Sequence, residues 1–185
     1  NLLPDELPTK DTPAPSPEQL RECVKHAGNA YEDVVSLFED TATAVPLLQE
    51  ALRESRTQHN HEAELIYSHI LTMMGDDSGY DLLATMIAHL PWDDGWNYKG
   101  MGQFGRSISV LDSWIIAAAR CSRPDFVNVL ICKIKTLPED AAFSHYRAIT
   151  MAAETLKDDT VAPHLAKLLR RPGIRGNHVH HVNTD

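Results

Sequence analysis

Four short apolar stretches recur along this chain, and their spacing limits the possible folds more than any other feature. They are "AVPLLQEAL" (44–52), "GYDLLATMI" (79–87), "FVNVLICKI" (126–134) and "VAPHLAKLL" (161–169), with start-to-start offsets of 35, 47 and 35 residues. Each places apolar residues at helical spacing. Pro46 and Pro163 hold the third position of the first and last stretches. A proline there suits the first turn of a helix, where N–H groups have no intrahelical partner. The three later stretches each follow another amphipathic segment and a polar turn, namely "ELIYSHILTMMGDDS", "VLDSWIIAAARCSRP" and "SHYRAITMAAETLKDDT". In the turns "GDDS", "CSRPD" and "KDDT", Asp and Ser stand where they can cap the next helix. The pairs Asp76–Asp77 and Asp158–Asp159 are therefore read as caps, not as catalytic carboxylates. "AYEDVVSLFED" takes the leading place in the first unit.

Helix, tight turn, helix at a period near 35 residues predicts an α-solenoid, in which each pair packs on its neighbours. The expected fold is all-α: a right-handed α-α superhelix of HEAT or armadillo type with about four helix pairs. Its core is expected at Leu65, Ile66, Leu71, Leu82, Leu83, Ile115, Ile116, Leu130, Ile134, Leu156, Leu165 and Leu168. The longer interval puts its extra residues between Pro91 and Arg106, so 91–106 reads as an inserted loop on one edge. Residues 1–17, "NLLPDELPTKDTPAPSP", carry five prolines and read as an extended linker. The repeat domain is expected over 18–177, with a flexible tail at 178–185.

The inserted loop contains "GWNYKGMGQFGR", in which Gly100, Gly102 and Gly105 spell G-x-G-x-x-G. A dinucleotide site of that type follows a strand, opens a helix and belongs to a βαβ unit. Here the preceding residues, "PWDDGWNYK", are not an apolar strand, and the next helix begins near Ser109 with Asp112 completing a capping box. The glycines are read as turn residues, not as a nucleotide cradle. The loop also gathers Trp92, Trp96, Tyr98 and Phe104 with Asp93, Asp94, Lys99, Gln103 and Arg106. Aromatic residues with Arg are the chemistry of interfaces. Ser144, His145 and Arg147 open a later helix and are expected to face this loop. The candidate interaction surface is therefore Trp92, Trp96, Tyr98, Gln103, Phe104, Arg106, Ser144, His145 and Arg147.

Other chemistry is excluded or weak at this level. The formal net charge of −9 argues against a nucleic-acid partner, which needs a basic footprint. No apolar run approaches the ~20 residues needed to span a bilayer. Cys23, Cys121 and Cys132 form no C-x-x-C pattern and are expected to be small buried hydrophobes. His59, His61 and His69 lack zinc spacing, and the cluster His178, His180 and His181 has no nearby carboxylate. Ser144 and His145 are sequence neighbours, whose side chains diverge on a helix, so they do not read as a nucleophile and base. No catalytic, cofactor-binding or metal-binding residue is assigned.

The stretches "GWNYKGMGQFGRSISVLDSWIIAAAR" and "FSHYRAITMAAETLKDDTVAPHLAKLLRRPG" resemble the C-terminal HEAT-repeat region of bacterial FAD-dependent oxidoreductases, some of whose relatives are labelled putative xanthan lyase. The resemblance covers roughly residues 60–177. Trp96, Gly100, Gly102, Gln103, Gly105, Asp112, Ser144, His145 and Arg147 match its motif positions. It implies a flavin-binding domain upstream in the same polypeptide, joined through a linker like 1–17, and an exported, extracytoplasmic protein. The FAD belongs to that upstream domain, with no cofactor in this chain. The expected function is a non-catalytic accessory or interaction module, partnered by the flavin domain or another protein. Two alternatives stay open: a free-standing protein-interaction scaffold, and a carbohydrate-contacting, lyase-associated module using Trp92, Trp96 and Tyr98 with Arg106, His145 and Arg147.

Overall fold

In a computed structural model, which describes residues 13–92 and 109–172, every regular element is helical and no strand occurs among the described residues. The elements are α1 (Pro17–Ala30), α2 (Val34–Glu39), α3 (Thr41–Thr57), α4 (His61–Met73), α5 (Tyr80–His89), α6 (Val110–Ala119), α7 (Phe126–Lys135), α8 (Phe143–Leu156) and α9 (Ala162–Leu169). The chain divides into two compact units, one through Met86 and one from Ile87. None of the described helices is long and apolar enough to cross a membrane.

Local chemistry sets where most helices begin. Ser16 and Gln19 exchange side-chain and backbone hydrogen bonds at the start of α1, and Ser109 and Asp112 do the same for α6. Asp40 accepts from the Thr43 N–H at 3.1 Å, and Asn60 from the Ala63 N–H at 3.1 Å. Each of these acceptors satisfies an orphan donor of the first helical turn. Single 3-10 turns lead into α5 and α9. In them Asp76 accepts from the Ser78 N–H at 3.0 Å and Asp158 from the Thr160 N–H at 2.9 Å. The capping role expected of both Asp pairs holds for their first members. At the third turn it fails. Asp125 makes no cap, and its carboxylate accepts from Arg123 Nε at 3.2 Å instead.

In the first unit α3 packs on α4, and α1 packs on both. In α4, Ile66 to Met73 are all buried, Ser68, His69 and Thr72 among them, as expected for a helix surrounded by others. The expected leading helix "AYEDVVSLFED" is not one helix. Tyr31 and Asp33 adopt left-handed backbone (φ 60° and 57°), which ends α1 and leaves only the short α2. Pro46 is not in a first turn either: Asp40 starts α3 upstream of it, so the proline lies inside the helix. Its missing N–H leaves the Ala42 carbonyl to water, which the exposure of both residues permits. Pro163 does stand in the first turn of α9.

The second unit is built around α6, whose residues Leu111 to Ala119 are all buried. α8 packs most extensively against it, and α7 contacts both α6 and α8. Eight of the twelve expected core residues are buried, while Leu65, Leu82, Leu156 and Leu165 are half-buried at the margins of their apolar faces. The cysteines depart from expectation: Cys23 and Cys121 are half-buried and Cys132 is exposed.

Glycine sets the closest approach in the first unit. A Cβ on Gly28 of α1 would come within 2.2 Å of the Tyr67 hydroxyl of α4, and one on Gly79 within 2.4 Å of Ser68 Cα. Tyr67 uses that hydroxyl to donate to the Val24 carbonyl at 2.9 Å. Gly28→Ala would gain about 1 kcal/mol of helix propensity. Displacing Tyr67 loses its hydrogen bond and overpacks the seam, which together cost more. The expected outcome is a net destabilisation of about 1–3 kcal/mol in urea unfolding. An unchanged or raised midpoint would show that α1 and α4 do not meet at this glycine.

Candidate functional site

Two side chains with the potential for chemistry meet in the middle of the second unit. His145, on the first turn of α8, donates its Nδ1–H to Asp112 Oδ1 of α6 at 2.7 Å. Both are buried, His145 at 1% exposure and Asp112 at 0%. The other carboxylate oxygen accepts the Ser109 N–H at 3.1 Å, and Ser109 Oγ accepts the Asp112 N–H at 3.0 Å. One carboxylate therefore caps α6 and holds α8. Its place at the N-terminus of α6 is also where a helix dipole favours negative charge.

Trp92 extends this cluster. Its ring lies 5.0 Å from that of His145, tilted by 53°. Its indole N–H is shared between the Lys133 carbonyl and Thr136 Oγ1, each at 3.1 Å, at the end of α7. Lys133 Nζ sits 5.4 Å from the Trp92 ring centroid and donates to the Leu90 carbonyl, just past the end of α5. Burial holds the Lys133 ammonium below the usual lysine range. Trp92 is the last described residue before 93–108, and Ser109 is the first after it.

Of the candidate interaction surface, Trp92, Ser144 and His145 are 3%, 7% and 1% exposed. Trp92 is buried because its N–H donates to the end of α7, and His145 because its ring bridges to Asp112. Ser144 Oγ is buried without a hydrogen-bond partner, so Ser144 and His145 form no nucleophile–base bond. Arg147 is the one described member of that surface that stays half-exposed. The expected placing of the inserted loop beside the start of α8 holds for its beginning, through the Trp92–His145 contact. Trp96, Tyr98, Gln103, Phe104 and Arg106, with Gly100, Gly102 and Gly105, lie outside the described residues, as do His178, His180 and His181.

Other polar contacts were not expected from the sequence. Arg171 donates to the Pro138 carbonyl at 2.7 Å, the Leu137 carbonyl at 2.9 Å and the Tyr146 hydroxyl at 3.3 Å. In the first unit the buried His69 shares a 2.7 Å hydrogen bond with the Tyr31 hydroxyl. An open groove beside α1 brings together Cys23, His26, Asp33 and Ser36. There Asp33 bonds His26 Nδ1 at 2.6 Å and raises its pKa. Burial first, and the Asp33 charge second, push the Cys23 thiol up, which is the wrong direction for a nucleophile. No group of three or more His, Cys, Asp or Glu placed to hold a metal occurs among the described residues.

Compared with protein-family models, with curated proteins and with solved structures, the chain shows no significant match.

The buried pair generates the first prediction here. Removing one partner strands the other, so His145→Ala and Asp112→Ala should each cost about 3–5 kcal/mol in chemical denaturation. The double variant should cost clearly less than their sum. Additivity within about 0.5 kcal/mol would mean the two groups are not coupled.

Lys133 generates the second. Its folded pKa is lowered, so between that value and the unfolded pKa the unfolded chain binds the extra proton. Stability contributed at this site therefore rises with pH as the solution approaches the ordinary lysine range from below. Lys133→Met keeps the stem and removes the titration. The stability difference, wild type minus variant, should become more favourable to wild type as pH rises from 7 towards 10. A pH-independent difference would rule out a perturbed lysine.

Proposed function

We propose that this chain is a non-catalytic helical-repeat module, a HEAT-type right-handed solenoid that acts by binding protein. The observation that carries the reading is one local construction used twice. In both α4–α5 and α8–α9 a helix runs into a 3-10 turn whose Asp side chain accepts the N–H two residues on, and a second helix follows. The two turns are separated by the same interval as the apolar stretches starting at Gly79 and Val161. Stacked repeats of this kind present long surfaces rather than enclosed reaction sites.

On the resemblance to the C-terminal region of FAD-dependent oxidoreductases, the partner is a flavin-binding domain of the same polypeptide. Residues 1–17 join the two, FAD sits in that domain, and the assembly works outside the cytoplasm. A free-standing scaffold for another protein is the second reading, favoured by the same turns. The carbohydrate-contacting reading loses ground because Trp92 and His145 spend their polar atoms and ring faces inside the unit.

The test is a titration of the chain with FAD, followed by tryptophan fluorescence and by the flavin's own emission. The expected outcome is no saturable change, while the full polypeptide containing the upstream domain binds one equivalent. Saturable quenching of the 185-residue chain, lost in Gly102→Val, would overturn the accessory reading and make "GMGQFG" a cofactor loop.

A further inference from the structure

We propose that the pocket between the end of α5 and α7 binds a small organic monocarboxylate, whose charge is received by the Lys133 ammonium. The inference goes beyond the protein-binding reading and does not rest on it. The pocket lies wholly within the second unit. The end of α5 and the residues after it contribute Ala88, Leu90 and Pro91, and α7 contributes Val129, Cys132 and Lys133. Its volume is about 500 Å³, within the range of small-molecule sites.

A buried charge without a counter-charge points to the ligand. Lys133 is 5% exposed. Its Nζ donates to the Leu90 carbonyl, and the Trp92 ring centroid lies 5.4 Å away. These contacts offer a dipole and a π-face, and no carboxylate among the described residues pairs with the ammonium. Lysines are almost never buried unless their charge is paired. An ammonium has three donors, of which Leu90 takes one. Burial lowers the Lys133 pKa, as it does for a cation held without an anion, and an anion in the pocket would reverse that penalty. No carboxylate lines the pocket. Asp125, one turn before Val129 on the same stripe of α7, pairs with Arg123 at 3.2 Å instead.

The lining selects among anions. One lysine supplies one positive charge, which matches a monoanion. A phosphate dianion is ordinarily held by an Arg fork or by several converging backbone N–H groups, and neither lines this pocket. Asn128, one turn before Cys132, also lines it and brings an amide N–H for the second carboxylate oxygen. Thr136 Oγ1 is engaged already, donating to the Lys133 carbonyl at 2.8 Å and accepting from the Trp92 N–H. Ala88, Leu90, Pro91 and Val129 leave an apolar track for the rest of the molecule. The matching ligand is a carboxylate on a short aliphatic body.

Hexanoate is the probe, and Cys132 reports its arrival, because that exposed thiol lines the same pocket. The full chain is alkylated with iodoacetamide, and the rate at each cysteine is read by peptide mass spectrometry. Hexanoate should slow Cys132 several-fold and saturably, while Cys23, in the first unit, keeps its rate. Hexanamide, the neutral isostere, should need a concentration about tenfold higher or more, the worth of a charge-assisted hydrogen bond. Lys133→Met keeps the stem of the side chain. It should abolish protection by hexanoate with the basal Cys132 rate and the far-UV circular dichroism spectrum unchanged. The comparison of hexanoate with hexanamide on the unaltered chain decides the matter even where that variant fails to fold. Absence of protection would overturn the proposal, as would equal protection by hexanamide or protection that survives Lys133→Met in a folded chain. Equal slowing of Cys23 would show a general effect on thiols and overturn it too. Protection by inorganic phosphate at the same concentrations would refute the selection of a carboxylate.

Discussion

The second unit depends on one carboxylate shut away from water. Asp112 receives no solvent, so each of its oxygens must be matched from within the protein. His145 matches one and the Ser109 amide the other. Those two donors come from places far apart in sequence, α8 and the start of α6. Satisfying the charge therefore fixes both the first turn of α6 and the position of α8 against it. A hydrophobic pair could fill the same space, but it would not also terminate a helix. Trp92 leans on the same imidazole while its N–H closes the end of α7, so three helix ends are settled around a single buried ring.

Within the first unit the problem is solved differently. α4 buries almost every side chain from Ile66 to Met73, including Ser68, His69 and Thr72. Thr72 donates back to the His69 carbonyl at 2.8 Å, and His69 meets Tyr31. Thr72 and His69 are thus answered locally or by one neighbour, Ser68 Oγ is buried without a hydrogen-bond partner, and the tight approach is left to glycine. Gly28 lets Tyr67 reach the Val24 carbonyl, and Gly79 lets the turn before α5 lie against Ser68. One unit is pinned by charge and the other by the absence of a side chain.

Much of this was legible in the sequence where the cause is local. Helical period, the Ser109–Asp112 box and the Asp turns at 76 and 158 all act over a few residues, and each was found where its pattern stood. The break at Tyr31 was not legible, because left-handed backbone at Tyr31 and Asp33 has no compositional signal. Nor was the continuation of α3 through Pro46, which follows from Asp40 starting that helix upstream by accepting from the Thr43 N–H and hydroxyl. The site was the least legible part. His145 and Asp112 are far apart in the chain, and nothing in either neighbourhood says that they meet. One signal was present: "DSWIIAAA" is an apolar run holding a single carboxylate, and a carboxylate on a buried helix requires a partner. His145, on the one other helix start singled out beside the loop, was the candidate.

That reading also sorts the residues by availability. Aromatic and titratable side chains tempt a functional assignment because they are the ones chemistry uses. In this chain Trp92, His145, Asp112 and Lys133 each commit a polar atom to holding helix ends together. Arg147 sits two residues beyond His145 on the same helix, which turns it away from the buried pair and towards the trough with α9. Burial of His145 and half-exposure of Arg147 follow from a single helical turn. The turn that holds the unit together at His145 therefore places Arg147 beside α9.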